Sequence, residues 1–370
     1  MLRISQKIFQ PMYSHLPQIN FQSHHKSFFV LRNNDLGDVL VATPLLKGLK
    51  TIFPQSRVTI GVGDWAMPLL ENNPNVDEII PCNAPWHNKQ NCRYPANSQK
   101  TFWEGLRYVL LSRESRYISS RKFTHGIDIL GSRQGSWLMR RARIPNRLGV
   151  KGYAGGDNWC TKYMDFKEER KVTKAGLKFL ELLNAEVEID PRPTIFLTKN
   201  ETTDAETSWG ERFSSTKRII LAPGGGFPEK CWGDENFSHL TNLLLKNKNY
   251  QFCIIGSKED KNRISANNSS RLKNMCGDLN LRQSAAIVSL ADFVVCNTSL
   301  SLHLAGAFKI PTLTLLGEWY NSAELHQKQW GYPESTIKGK ELKASRNKTY
   351  SVSEAYELIL QDIEQTNPQN

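Results

Sequence analysis

The chain has 370 residues, of which 39% are hydrophobic and 23% charged, with 48 Lys and Arg against 36 Asp and Glu; this is an ordinary globular composition with room for two domains. Its longest apolar runs are only strand-sized, which excludes a membrane-spanning helix of roughly 18 or more residues. Seven cysteines, odd in number and without a Cys-x-x-Cys pair, argue against a complete disulfide framework or a zinc site and lead us to expect reduced thiols in a cytoplasmic setting.

Residues 1–26 carry Arg3, Lys7 and Lys26 and no acid, and their apolar patches are too short for a signal-peptide core, so a loose extension is expected, with a transit peptide as the alternative. The nearly continuous apolar run 28–31 predicts a strand buried on both faces. Residues 39–52 follow at helical spacing and stop before Pro54, completing one βα unit. Strands at 58–62 and 76–80 flank a short helix at 66–71, and 123–130 reads as another strand.

The net charge of +12 is concentrated between Pro85 and Lys151, where 14 Lys and Arg face three acids. Such a patch attracts anionic partners. A helix is expected over about 101–117, with Trp103, Leu106 and Leu110 on one face and Arg107 and Arg113 off it. That face either packs on the core or lies on an anionic membrane surface. The glycine-rich stretch 151–157 is expected to be a flexible loop. A helix near 174–183 precedes Asp190-Pro191-Arg192-Pro193, whose prolines mark a linker.

The alternation then restarts, with strands at 218–222, 250–255, 293–296 and 312–316 and helices at 236–245, 281–290, 300–308 and 351–365. The expected layout is an extension (1–26), an N-terminal Rossmann-like domain (27–190), a C-terminal Rossmann-like domain (191–350) and a closing helix with its tail (351–370). Strands alternating with helices imply a layered α/β architecture in both domains.

Ligands of open parallel sheets bind beyond the carboxyl ends of the strands, so the informative residues follow the strands directly. After the first comes Arg32-Asn33-Asn34-Asp35-Leu36-Gly37-Asp38, where Gly37 permits close approach and Asp38 falls in the first helical turn. A carboxylate there either complements the helix dipole or accepts a proton from a hydroxyl. After the strand at 218–222 comes Pro223-Gly224-Gly225-Gly226-Phe227-Pro228-Glu229-Lys230, whose Gly224 and Gly225 N–H groups suit a diphosphate and whose Lys230 offsets its charge. Thr298, Ser299 and His303 lie on a third strand-to-helix corner suited to anions. Glu259 follows the strand at 250–255 and is a candidate for a ribose hydroxyl. No Asp-x-Asp pair or metal-ligand spacing occurs, so no metal cofactor is expected.

Arg32-x-x-x-x-Gly37-Asp38-Val39, Thr43-Pro44-Leu45-Leu46 and Asn72-Asn73-Pro74-Asn75-Val76-Asp77 resemble the amino-terminal half of the bacterial heptosyltransferases, glycosyltransferase family 9. Pro223-Gly224, Lys230, Trp232, Ser289-Leu290-Ala291-Asp292, His303-Leu304-Ala305 and Leu316-Gly317 resemble its carboxyl half, in collinear order. The resemblance implies a GT-B fold, two Rossmann-like domains facing across a cleft, and inverting, metal-independent transfer of heptose from ADP-heptose to the lipopolysaccharide inner core. Carried over by position, Asp38 would be the general base and Lys230 the contact to the donor phosphates. The family's donor loop usually reads Asp-Thr/Ser-Gly, whereas this chain has Thr298-Ser299-Leu300. On the acceptor side the expectation names Arg32, Gly37, Arg107 and Arg113.

The favoured reading is a sugar transferase acting on an anionic glycolipid, because base and phosphate lysine are both retained; the expected location is the cytoplasm, with a peripheral place on the inner membrane as the option. The alternative is a degenerate member that binds a nucleotide sugar without turnover. No nucleic-acid partner is expected.

Overall fold

The computed structural model describes residues 26–96, 98–168, 170–185, 187–213, 216–341 and 349–365. Apart from Lys26, the expected N-terminal extension lies outside them, as does the tail beyond residue 365. Six parallel strands form the first sheet: β1 (Ser27–Leu31), β2 (Arg57–Val62), β3 (Glu78–Pro81), β4 (His125–Asp128), β5 (Asn146–Lys151) and β6 (Lys162–Asp165), in the order β3-β2-β1-β4-β5-β6. The second comprises β7 (Lys217–Ala222), β8 (Tyr250–Ile254), β9 (Leu272–Asn274), β10 (Phe293–Cys296), β11 (Thr312–Leu315) and β12 (Ser335–Lys338), in the order β12-β11-β10-β7-β8-β9. Each sheet therefore reverses direction once, between β1 and β4 and between β7 and β10. The crevice at such a reversal is where doubly wound sheets bind ligands.

The principal helices are α1 (Leu36–Leu40), α2 (Thr43–Ile52), α3 (Gln99–Leu111), α4 (Arg113–Ser120), α5 (Arg133–Arg141), α6 (Lys199–Trp209), α7 (Asp234–Leu244), α8 (Leu281–Ser289), α9 (Leu300–Phe308), α10 (Ala323–Trp330) and α11 (Val352–Gln365). Central strands are apolar on both faces because helices cover both sides, and Phe28, Phe29, Val30 and Leu31 of β1 are fully buried. Phe179 and Leu180 belong to the core of the first sheet, with Ile189 packed against it, while Ile195 belongs to a core of the second. The chain thus changes cores at the proline pair. In α11, Ala355, Ile359 and Ile363 close the second sheet's other core.

The two halves touch. Leu40 of α1 and Leu69 are buried within the second half's core cluster. The Arg282 guanidinium, 7% exposed, donates to the Pro68 and Phe196 carbonyls and pairs with Glu201.

Several elements differ from expectation. The helix expected over 101–117 is broken at Ser112, which takes an extended conformation and caps α4 by accepting from the Ser115 N–H. The glycine-rich stretch expected to be flexible is tied down: the Arg133 N–H donates to the Ala154 carbonyl, and Gly156 abuts the Gly131 backbone so closely that no side chain would fit. The helix near 174–183 is split into Val172–Ala175 and Lys178–Leu182.

Candidate active site at the interlobe cleft

The site grows from the β1–α1 corner. Arg32 is buried and its Nη2 donates to Asp38 Oδ1 at 2.7 Å while its Nε donates to the Asp38 carbonyl, which fixes the carboxylate in the first turn of α1. The Asp38 side chain keeps 31% of its exposure. Three of the five residues between them clasp the loop after β3: Asn33 Nδ2 donates to the Trp86 carbonyl, Asn34 Nδ2 to the His87 carbonyl, and Asp35 Oδ1 accepts from the Lys89 N–H, all within 3.0 Å. One corner therefore positions both the carboxylate and Lys89.

Gly37 is one place where the lobes meet closely. A Cβ there would sit 2.8 Å from His303 Cδ2 of α9. His303 is buried, its Nδ1 is 2.7 Å from the Tyr332 hydroxyl, and burial pushes its pKa down to about 4, so the ring is neutral at pH 7. The expected donor-side histidine is thus neutral and lies at the lobe interface.

The β7 corner faces this one. Lys230 ends the 3-10 turn Pro228–Lys230, its ammonium 5.3 Å from the Phe227 ring centroid and 5.7 Å from that of Trp319. Burial and the neighbouring Lys89 lower its pKa, while Asp35 and Asp38 raise it. Charges from the front lobe thus act on Lys230 of the rear lobe. Gly225 and Gly226 form the open turn above it, and a side chain on Gly226 would collide with the Lys89 ammonium.

Asn297, fully buried after β10, locks the two rear corners together: its Oδ1 accepts from the Trp232 N–H at 2.9 Å and its Nδ2 donates to the Pro223 carbonyl at 2.6 Å. Thr298 Oγ1 bonds His326 Nε2 at 2.9 Å, and the Ser299 hydroxyl caps α9 by accepting from the Ser301 N–H. The hydroxyls of the altered Thr298-Ser299-Leu300 loop are therefore engaged in holding the corner.

Two groups of expected residues lie apart from these corners. Glu259 is fully exposed; the carboxylate that turns back beneath Gly224 is Asp260, which accepts from the Ser257 N–H and hydroxyl, and a Cβ on Gly224 would lie 2.6 Å from its Oδ2. The 3-10 turn Lys258–Asp260 rotates one acid outward and its neighbour inward, which sequence adjacency alone does not reveal. Arg107 and Arg113 are exposed on α3 and α4; Arg107 lines an open pocket with Arg93 and Glu104, and neither contacts the Asp38 corner.

Other cleft residues carried no signal in the sequence. Asp128, at the end of β4 beside β1, is buried and pushed up to about 6 by desolvation, although Ser132 bonds oppose the shift. Half-buried Arg170 stacks on the Phe166 ring at 4.7 Å and feels the charge of Arg32, and its Nη1 has no hydrogen-bond partner among the described residues. Among those residues no cluster of three His, Cys, Asp or Glu forms a metal site, no helix is long and apolar enough to cross a membrane, and all seven cysteines are free.

Two doubly wound lobes meeting at a cleft are the GT-B arrangement, a fold that does not by itself name a reaction. The family model of Glycosyltransferase family 9 (heptosyltransferase) matches residues 112–348, and the chain belongs to that family. It is similar to the lipopolysaccharide core heptosyltransferase OpsX of Haemophilus influenzae, with 25% identity and 80% of each chain covered. The fold matches ADP-heptose lipopolysaccharide heptosyltransferase II of Escherichia coli with a TM-score of 0.68 at 16% identity, covering 92% of this chain and 99% of that one. It likewise matches the E. coli heptosyltransferase WaaC solved with ADP-2-deoxy-2-fluoro heptose, with a TM-score of 0.66 at 13% identity, covering 91% and 99%.

Proposed function

We propose that this chain transfers heptose from ADP-heptose, with inversion at the anomeric carbon, to a hydroxyl of an anionic glycolipid such as the lipopolysaccharide inner core. The observation that carries the reading is the convergence of the two corners on one cleft: Lys89, paired with Asp35 at 3.6 Å, and Lys230 stand 4.7 and 5.3 Å from the same Phe227 ring, so the corner that bears Asp38 and the anion-binding ammonium share one gap. Arg32 holds Oδ1 of Asp38. This leaves Oδ2 to take the proton from the acceptor hydroxyl as its oxygen attacks the anomeric carbon on the face opposite the departing ADP. Lys230 and the glycine turn meet the negative charge that develops on the diphosphate. We propose that this positive charge suffices without a metal, so turnover is expected to survive EDTA.

An anionic group of the acceptor would find Arg170, whose Nη1 has no hydrogen-bond partner among the described residues, within reach of the charge of Arg32. The acceptor is a lipid, and α3 supports docking on an anionic membrane. It buries Thr101, Gly105 and Val109 and turns Trp103 (60% exposed), Leu110 (49%) and Leu111 (66%) outward beside Arg107. Apolar area and cationic charge act together at such surfaces.

The test is incubation of ADP-heptose with heptose-deficient lipopolysaccharide, read by the mass gain of one heptosyl unit and by the anomeric configuration of the product. Asp38→Asn is expected to lose about 100-fold or more in kcat while ADP affinity stays near wild type. Unchanged turnover in Asp38→Asn would remove the base assignment. ADP-heptose binding without product from any inner-core acceptor would favour a binding protein.

A further inference from the structure

Lys89 is a charged group of the cleft to which the mechanism above gives no task. We propose that Lys89 is a second ligand of the donor diphosphate, supplied by the opposite lobe, so that the phosphates are gripped between two ammonium groups. The inference deepens the ADP-sugar reading and rests on it.

The Lys89 ammonium lies 4.7 Å from the Phe227 ring centroid and that of Lys230 lies 5.3 Å from the same ring. Phe227 is half exposed at the mouth of the turn, and Gly226 leaves room for the Lys89 ammonium against its backbone. Two cations from two lobes therefore converge on one open turn. Like charges this close repel, and Lys89 lowers the pKa of Lys230 accordingly. The acid paired with Lys89 is Asp35, at 3.6 Å, and the other carboxylate whose charge reaches Lys230 is Asp38, which Arg32 already holds. A nucleoside diphosphate carries more negative charge than one carboxylate, and it can accept from both lysines and from the backbone N–H groups of the turn together.

The position of Lys89 is not accidental to its loop. The Asn33, Asn34 and Asp35 clasp fixes residues 86–89 against the corner that also carries Asp38. Phosphate held by Lys89 is thus tied mechanically to the base corner, and donor binding draws the two lobes onto the reacting atoms.

The experiment is calorimetric titration of the full-length protein with ADP, AMP and adenosine at low and raised salt. Lys89→Ala is expected to weaken ADP about tenfold and flatten its salt dependence, leaving adenosine within about twofold, and Lys89→Arg to restore most of the loss. Asp35→Asn keeps the acceptor for the Lys89 N–H but removes the competing charge, so ADP should bind more tightly. Lys89→Ala with wild-type ADP affinity, where Lys230→Ala loses it, overturns the inference and leaves the donor reading standing. Equal losses for ADP and adenosine also overturn it, by assigning Lys89 to the shape of the loop. A wild-type chain that fails to bind ADP overturns the donor reading itself.

Discussion

Gly37→Ala tests the lobe contact on which the site is built. The added Cβ would stand 2.8 Å from His303 Cδ2 and 3.3 Å from Nε2, against the 3.4–4 Å of ordinary contact, so at least several tenths of an ångström must be found. His303 has little freedom to yield, being bonded to Tyr332 and packed 5.6 Å from the Trp330 ring centroid. Alanine suits helical backbone, so propensity alone favours the change. The strain therefore falls on the interface: overpacking costs about 1–3 kcal/mol, and separating reacting groups by about 1 Å costs on the order of 100-fold in rate. We expect kcat/KM to fall between about 10- and 100-fold, with ADP affinity less affected, since the donor loops lie wholly in the rear lobe apart from Lys89. The assay is steady-state transfer beside thermal melting, with His303→Ala and the double variant completing a cycle. Restoration of most of the Gly37→Ala penalty in the double variant supports the contact. Wild-type kcat/KM in Gly37→Ala, or strictly additive losses in the cycle, would refute it.

Further outcomes follow from the same geometry. His303 and His326 are each held near pKa 4 by burial against an unfolded value near 6.5, so the unfolded chain binds more protons between those values; stability should be full above pH 6.5 and fall as pH drops toward 4. Asp128, raised to about 6, opposes this trend, so the check is His326→Gln, whose urea midpoint should vary less steeply with pH than wild type; an unchanged slope would count against the assignment. Asn297→Ala strands the buried Trp232 N–H and should cost about 1–3 kcal/mol in denaturant unfolding and weaken ADP binding; a neutral result would mean the two rear corners are held otherwise. Trp103→Ser with Leu111→Ser should reduce sedimentation with phosphatidylglycerol vesicles severalfold and leave transfer to a water-soluble acceptor unchanged; undiminished sedimentation would place docking elsewhere.

Much of the site was legible because its parts are local. A buried apolar strand, a turn and an amphipathic helix are encoded within about fifteen consecutive residues, so both the Arg32–Asp38 corner and the Pro223–Lys230 corner could be read without tertiary contacts. Elements without such periodicity were missed. β6, four residues at the sheet edge and largely exposed, offers no apolar run, and β12 is equally short. The break at Ser112 was missed because the apolar pattern continues past it, while a serine's choice between helix interior and cap depends on what its hydroxyl meets.

What the sequence alone determined is the pair of doubly wound lobes, the carboxylate that opens α1, and the glycine turn with its lysine, since backbone sterics and hydrophobic period act over neighbours in the chain. What only the tertiary structure decided is which groups confront one another: Lys89 reaching Gly226 and Phe227, Asp260 rather than Glu259 beneath Gly224, His303 against Gly37, and the outward turn of Trp103. These depend on contacts between residues tens to hundreds of positions apart, whose free energy is set by burial and charge after the lobes have closed, and no local pattern carries that information.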